Sequence, residues 1–416
     1  MKHYDVIIVG GGQAGLSVSY YCQKQQLTHL VLEKSTLMNA WQNKRWDSFT
    51  LVTPNWQCQL PDYPYSGDDP NGFMNRDQIL QYLDGFRRKV NAPVREHCEV
   101  RKIQFNQTVY QVSCDVDTFT ADQVVVASGS YQQPIIPDYA QRLPHHIQQL
   151  HSEQYKNPQQ LNDGAVLVVG SGQSGSQIAE DLHLAGKHVF LAVGDAPRCA
   201  RFYRGRDVVD WLTEMKYYDI PVDQHPLREG VRDNTNHYVT GRDGGRDIDL
   251  RRFALEGMEL FGKLEGFDGE RLHFSNNLNR VLDNADKTYN SINQRIDQYI
   301  DVSGAQATTA SRYMPVWRCP RERGCLDLAQ SGITSVIWSI GFRPDYQWLD
   351  VPVFNGKGYP QHARGVTTYP GLYFIGLPWL YTWGSGRFSG VDRDARYLVD
   401  VLSAGQLQAR HSTLSA

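Results

Sequence analysis

Very little in this chain of 416 residues leans in one direction. Its 42 Lys+Arg nearly cancel its 45 Asp+Glu, leaving a formal net charge of -3. That balance excludes the basic footprint of a nucleic-acid binder or of a protein drawn to an anionic membrane. No apolar run approaches the ~18–20 residues that span a bilayer, and the polar stretch Gly405–Ala416 carries no tail anchor. Met1-Lys2-His3-Tyr4-Asp5 leads straight into the apolar Val6–Val9, without the pattern of a secretion signal. Seven cysteines, odd in number and irregular in spacing, form no disulfide framework and point to reduced thiols in the cytoplasm. HExxH, GxSxG and Walker A motifs are missing too, and no metal site is expected. Disorder is excluded by an ordinary globular composition, 41% hydrophobic and 21% charged.

What the chain does have is 36 glycines and length enough for about two domains. The apolar run Val6–Val9 leads to Gly10-Gly11-Gly12-Gln13-Ala14-Gly15, a helical stretch, and a second strand, His29–Leu32, that ends at Glu33 and Lys34. Strand, GxGxxG, helix, strand and acid in this register form a dinucleotide-binding unit. Gly10 permits the tight turn, Gly12 lets backbone approach a pyrophosphate, and Gly15 lets helix and strand pack closely. Gln13 and Ala14 open the helix, whose N-terminus favours phosphate. Glu33 suits an unphosphorylated ribose such as that of FAD.

The unit recurs without a gap. Ala165–Val169 leads to Gly170-Ser171-Gly172-Gln173-Ser174-Gly175, placing Gly170 on Gly10, Gly172 on Gly12 and Gly175 on Gly15. Here Val193 replaces the acid, and Arg198, Arg201 and Arg204 follow. Guanidinium attracts a 2′-phosphate, so this copy reads as an NADPH site. A solvated basic loop is the alternative reading of the arginines, and Asp195 leaves room for NADH. Ala121–Gly129, with Ala127, Ser128 and Gly129 at its end, reads as a buried strand whose small residues let backbone approach FAD. Ser335–Asp345, with Gly341, reads as another, and Gly371–Gly376 as a strand into a turn at Gly376.

The expected fold is therefore α/β with two Rossmann-type dinucleotide-binding domains, the NADPH domain inserted into a discontinuous FAD domain. The expected boundaries are 1–160 plus 330–416 for FAD and 161–329 for NADPH, with a substrate region at about 211–329.

These segments, together with Trp41–Pro61, His151–Tyr155 and Tyr203-Arg204-Gly205-Arg206-Asp207-Val208, resemble the class B flavin-dependent monooxygenases. The similarity is to the flavin-containing monooxygenase and YUCCA-type group and to bacterial FAD/NADPH oxidoreductases of that superfamily. It covers residues 1–210 and 330–402. The group's motif FxGxxxHxxx(Y/F) is half kept: His151 and Tyr155 stand in place, while His145 and Ile147 replace the Phe and Gly. Tyr155-Lys156 departs from the Baeyer–Villiger pattern. The resemblance implies an NADPH-reduced enzyme that uses O2, through a C4a-(hydro)peroxyflavin, to oxygenate a small nitrogen or sulfur nucleophile. It implies flavin contacts from Trp41, Arg45 and Trp46, and catalytic roles for Asn55 and Tyr155. A homodimer is compatible with it. The alternatives are an NAD(P)H-flavin oxidase, a non-oxygenating flavoprotein and, further off, a disulfide reductase, whose dithiol would have to come from the widely spaced Cys319 and Cys325.

Residues 211–330 carry less pattern. Arg228, Arg232, Arg242, Arg246, Arg251 and Arg252 read as a solvated surface or as binders of an acidic substrate. A D-G hairpin is expected around Asp268-Gly269, and an exposed amphipathic helix over Leu278–Ile300. Pro378–Trp383 reads as core or as a substrate wall.

Overall fold

Buried parallel strands are apolar along their whole length, because both faces meet helices. Val6–Val9 and Ala165–Val169 have this character, and each becomes a central strand of its own sheet. The computed structural model describes residues 1–414, so the last two residues of the polar C-terminal stretch lie outside the described residues. Among the described residues one sheet holds nine strands and a second holds five.

In the first sheet, Lys2–Val9 lies between His29–Leu32 and Thr118–Val126, all parallel, and Leu372–Phe374 adds beside Thr118–Val126. The helix Gln13–Lys24 packs against it together with the C-terminal helix Val391–Leu414 and the helix Arg76–Val90. Asn75 starts Arg76–Val90 with a capping box to Gln78, which satisfies two of the backbone N–H groups that open any helix.

The second sheet is parallel throughout, in the order Gln148–His151, Ile333–Trp338, Ala165–Val169, Val189–Ala192 and Glu259–Phe261. This corrects the expected grouping of two strands. Gln148–His151 and Ile333–Trp338 were assigned to the FAD unit, but they hydrogen-bond to each other and, through Ile333–Trp338, to the second glycine unit. The apolar pattern marked Ser335–Asp345 as a buried strand without saying which sheet it joins, and Gln148–His151, which is not apolar, carried no strand signal.

The expected hairpin forms between Leu264–Phe267 and Arg271–Phe274, with Gly269 at φ +116°. The long helix runs over Leu278–Ser303 and is less exposed than expected: Val281, Leu282, Tyr289, Ile296 and Ile300 are buried. Of the arginines of this region Arg228 and Arg252 are exposed, as a solvated surface would have them, whereas three others are committed to carboxylates. Arg251 is buried on Asp283 and Asp286 at 2.6 and 2.8 Å, Arg242 pairs with Asp181 at 2.6 Å, and Arg246 with Glu180 at 3.2 Å. Among the described residues no helix is long and apolar enough to cross a membrane.

Candidate functional site

The chain leaves its first strand at Gly10 with φ +115°, and a Cβ there would sit 2.6 Å from the carbonyl oxygen of Ala127. A Cβ on Gly15 would lie 1.9 Å from the Gly10 carbonyl oxygen. Only glycine fits either place, which is why the strand can turn sharply into its helix. Gly12 is different: a Cβ there would meet nothing within 4 Å. Its space is open, as a ligand's close approach requires. Glu33 closes the cradle by accepting hydrogen bonds from the Gly11 and Ser35 backbone N–H groups at 2.7 and 2.9 Å.

From this turn a cavity of about 1170 Å³ extends, lined by Gly10, Gly12, Gln13, Ala14, Glu33, Lys34, Ala127, Ser128, Gly129 and Gly376. Trp41, Arg45 and Trp46 continue the wall. Trp41 stacks on Phe388 with centroids 5.2 Å apart and donates its indole N–H to Gln13 Oε1 at 3.1 Å. Gln13 in turn donates to the Gly386 carbonyl at 3.3 Å, tying the helix start to the chain just before the C-terminal helix. Arg45 lies over the Trp41 and Phe49 rings at 5.0 and 5.5 Å, and burial pulls its pKa down.

The second turn repeats this steric plan. Gly170 has φ +99°, and a Cβ on it would lie 2.6 Å from the Ser339 carbonyl oxygen; one on Gly175 would lie 1.9 Å from the Gly170 carbonyl oxygen. Ser339 therefore does for the second turn what Ala127 does for the first, and Gly341, expected among the cofactor-binding residues, accepts from the Ile135 N–H at 3.0 Å and is not on the cavity wall. Its carbonyl is 3.1 Å from His151 Nε2, and Phe342 rather than Gly341 reaches the cavity wall. Gln173, Ser174, Gln177 and Asp195 line the same cavity. At Gly172 a Cβ would be 3.5 Å from the Thr235 methyl, so the loop 234–237 lies over this turn.

Five expected site residues do other work. Arg198 and Arg201 are 2% and 1% exposed. Arg198 reaches Asp249 at 3.1 Å and lies over the Tyr289 and Tyr313 rings at 4.5 and 4.1 Å. Arg201 touches the cavity wall, but its guanidinium is committed to Asp207 at 2.5 Å and to the Val52 carbonyl at 2.7 Å. Arg204 pairs with Asp297 at 2.9 Å. None of the three is free to select a 2′-phosphate. Asn55 is buried between loops: its Nδ2 donates to the Asp69 carbonyl at 2.9 Å and its Oδ1 accepts from the Met74 N–H at 2.7 Å. Leu51, Val52 and Thr53 line the cavity in its place. Tyr155 is fully buried and donates to Asp181 at 2.6 Å, which with burial raises its pKa well above the usual tyrosine range.

The cavity also has walls that the motifs did not mark. Val209, Leu212, Met215 and Tyr218 come from the inserted region, and Arg387 and Phe388 from the turn before the last helix. Trp379 and Trp383, from the aromatic stretch, line it as well. The cysteines on the wall are Cys98 and Cys199; Cys319 and Cys325 are not among the lining residues.

Two glycine cradles opening on one cavity, in a doubly wound α/β architecture, define a flavin- and nicotinamide-dependent oxidoreductase. Residues 7–213 match the family described as pyridine nucleotide-disulphide oxidoreductase. The oxidoreductase CzcO-like protein of Geobacillus kaustophilus is 30% identical over 412 residues, 97% of this chain and 100% of that one. The indole-3-pyruvate monooxygenase YUCCA1 of Oryza sativa subsp. japonica is 28% identical over 180 residues, 42% of this chain and 44% of that one. The solved flavin-containing monooxygenase of Stenotrophomonas maltophilia superposes with a TM-score of 0.66 at 20% identity, covering 97% of this chain and 99% of that one. The chain belongs to the family of the CzcO-like oxidoreductases.

Proposed function

We propose that this chain binds FAD on its first glycine turn and a nicotinamide dinucleotide on its second, and uses O2 to oxygenate a small organic molecule at nitrogen or sulfur. The single observation that carries this reading is the cavity wall shared by Gly10, Gly12, Gln13 and Ala14 and by Gln173 and Ser174. It leaves both dinucleotides facing one space. Bound flavin would supply the two-electron chemistry and the reaction with O2. The protein's part is to hold and to exclude: the N–H groups at the start of Gln13–Lys24 meet the pyrophosphate, Glu33 accepts from the ribose, and Trp41, Trp379 and Trp383 keep water out. NADPH loses the three arginines on which its selection rested. Asp195, on the wall at the end of the second unit, favours the free 2′-hydroxyl of NADH.

A second reading, an NAD(P)H oxidase that releases hydrogen peroxide, is favoured by the burial of Asn55 and Tyr155 away from the cavity. Turnover under ¹⁸O₂ with a panel of amines and thioethers separates the two. Product carrying one labelled oxygen per nicotinamide oxidised supports oxygenation. Complete recovery of the electrons as hydrogen peroxide across the panel rejects it.

A further inference from the structure

Most buried or half-buried arginines of this protein end on a carboxylate. Arg198, Arg201, Arg242, Arg246 and Arg251 all do. Arg387, which lines the cavity, does not. Its guanidinium hydrogen-bonds two neutral acceptors, the Trp383 carbonyl and Asn236 Oδ1, the latter at 2.9 Å, and lies 4.0 Å over the Trp383 ring. The ionisable neighbours acting on it are Tyr131 and Tyr218, and burial pulls its pKa down. A half-buried cation on a cavity wall without a counter-ion offers an arriving anion an unneutralised partner. The planar fork of arginine matches a carboxylate bidentately.

The direction of the side chain is set by the Trp383 carbonyl and by Asn236 Oδ1. Around it the wall is flat and apolar: Tyr218 packs on Trp383 with centroids 4.1 Å apart, and Val209, Leu212, Met215 and Ile292 line the cavity with them. We propose that Arg387 anchors the acidic group of the substrate, and that the substrate is an amphipathic organic acid with a flat apolar or aromatic body. This inference rests on the oxygenase reading and names the substrate class for the same cavity.

The test is equilibrium binding to the flavin-loaded protein, read by fluorescence quenching, of 2-naphthoate against its neutral amide, 2-naphthamide. The acid is expected to bind at least tenfold more tightly. Arg387→Gln is expected to lose that tenfold and to leave amide binding unchanged, while Arg387→Lys keeps part of it. Flavin content and the anaerobic rate of flavin reduction by nicotinamide should stay within twofold. Equal binding of acid and amide to the wild type overturns the proposal, even if Arg387→Gln fails to fold. So does a variant that raises only the KM for nicotinamide, which would assign the arginine to a coenzyme phosphate. A changed flavin potential with acid binding intact overturns it too. Because binding needs no oxygenated product, failure of the oxygenase reading would leave the acid preference standing.

Discussion

Tyr155 donates its phenolic hydrogen to Asp181 across 2.6 Å, joining the loop after Gln148–His151 to the helix that follows the second glycine turn. Asp181 also accepts from Ser48 Oγ and from Arg242, each at 2.6 Å. Ser48 comes from the segment that walls the flavin end, so one carboxylate holds three parts of the site in register. Tyr155 is thus a strut whose hydroxyl is spent on Asp181.

Tyr155→Phe is expected to cost about 1–3 kcal/mol, the usual loss when a buried hydrogen-bond partner is removed. Thermal denaturation should show a lowered Tm, while kcat per bound flavin stays within a few-fold of wild type. A variant with unchanged Tm and no turnover would show that the phenol acts in the chemistry after all.

Gly12 separates folding from ligand binding. Since a methyl on it meets no protein atom within 4 Å, Gly12→Ala is expected to fold with an unaltered apoprotein Tm. Flavin retention, measured as the ratio of visible to protein absorbance after gel filtration, should fall at least tenfold. Full flavin content in this variant would move the flavin away from the first turn.

For the nicotinamide, Arg198→Ala should behave as a stability mutant. Removing it takes the buried cation away from Asp249, and breaking a buried ion pair costs about 3–5 kcal/mol. The NADPH-to-NADH ratio of kcat/KM should not move. Asp195→Ser, by contrast, is expected to shift that ratio toward NADPH by about tenfold, roughly 1.4 kcal/mol. An unmoved ratio in Asp195→Ser, or a lost NADPH preference in Arg198→Ala, would reverse these assignments.

Acid should unfold the protein through its buried histidines. Burial lowers the pKa of His237 and of His362 to about 4, and lowers His29 and His151 as well. Above pH ~6.5 these rings are neutral in both folded and unfolded chains. Below it the unfolded chain takes up protons that the folded one refuses, so stability falls as pH drops from about 6.5 to 4. A Tm that declines over this window, and declines less in His237→Asn, is the expected result. A Tm indifferent to pH between 7 and 5 would contradict it.

The glycine turns were legible in the sequence because their constraints are local. The Gly10 carbonyl that excludes a side chain at Gly15 lies five residues away, so a short motif records the whole geometry. The arginines after the second turn misled because their partners are distant: Asp249 and Asp286 belong to elements with no visible link to Arg198. Asn55 looked available as a turn residue beside a flavin segment, yet the Asp69 and Met74 backbone that consumes its amide comes from a separate loop. Arg387 carries no motif at all; only the fold shows that no carboxylate accompanies it.

The strand Ile333–Trp338 lies between Gln148–His151 and Ala165–Val169, and this governs the order in which the chain can assemble. On a ribosome the first turn has its bracing strand, Thr118–Val126, within the first third of synthesis. The second turn waits for Ser339. Until then Ala165–Val169 presents an unpaired edge, and Gln148–His151 has no neighbour in the sheet. Because such long-range pairing is slow to form, the nascent chain holds one finished nucleotide cradle and one unfinished one from Gly175 until Ser339 is made, and a chain stopped near residue 330 could complete only the first.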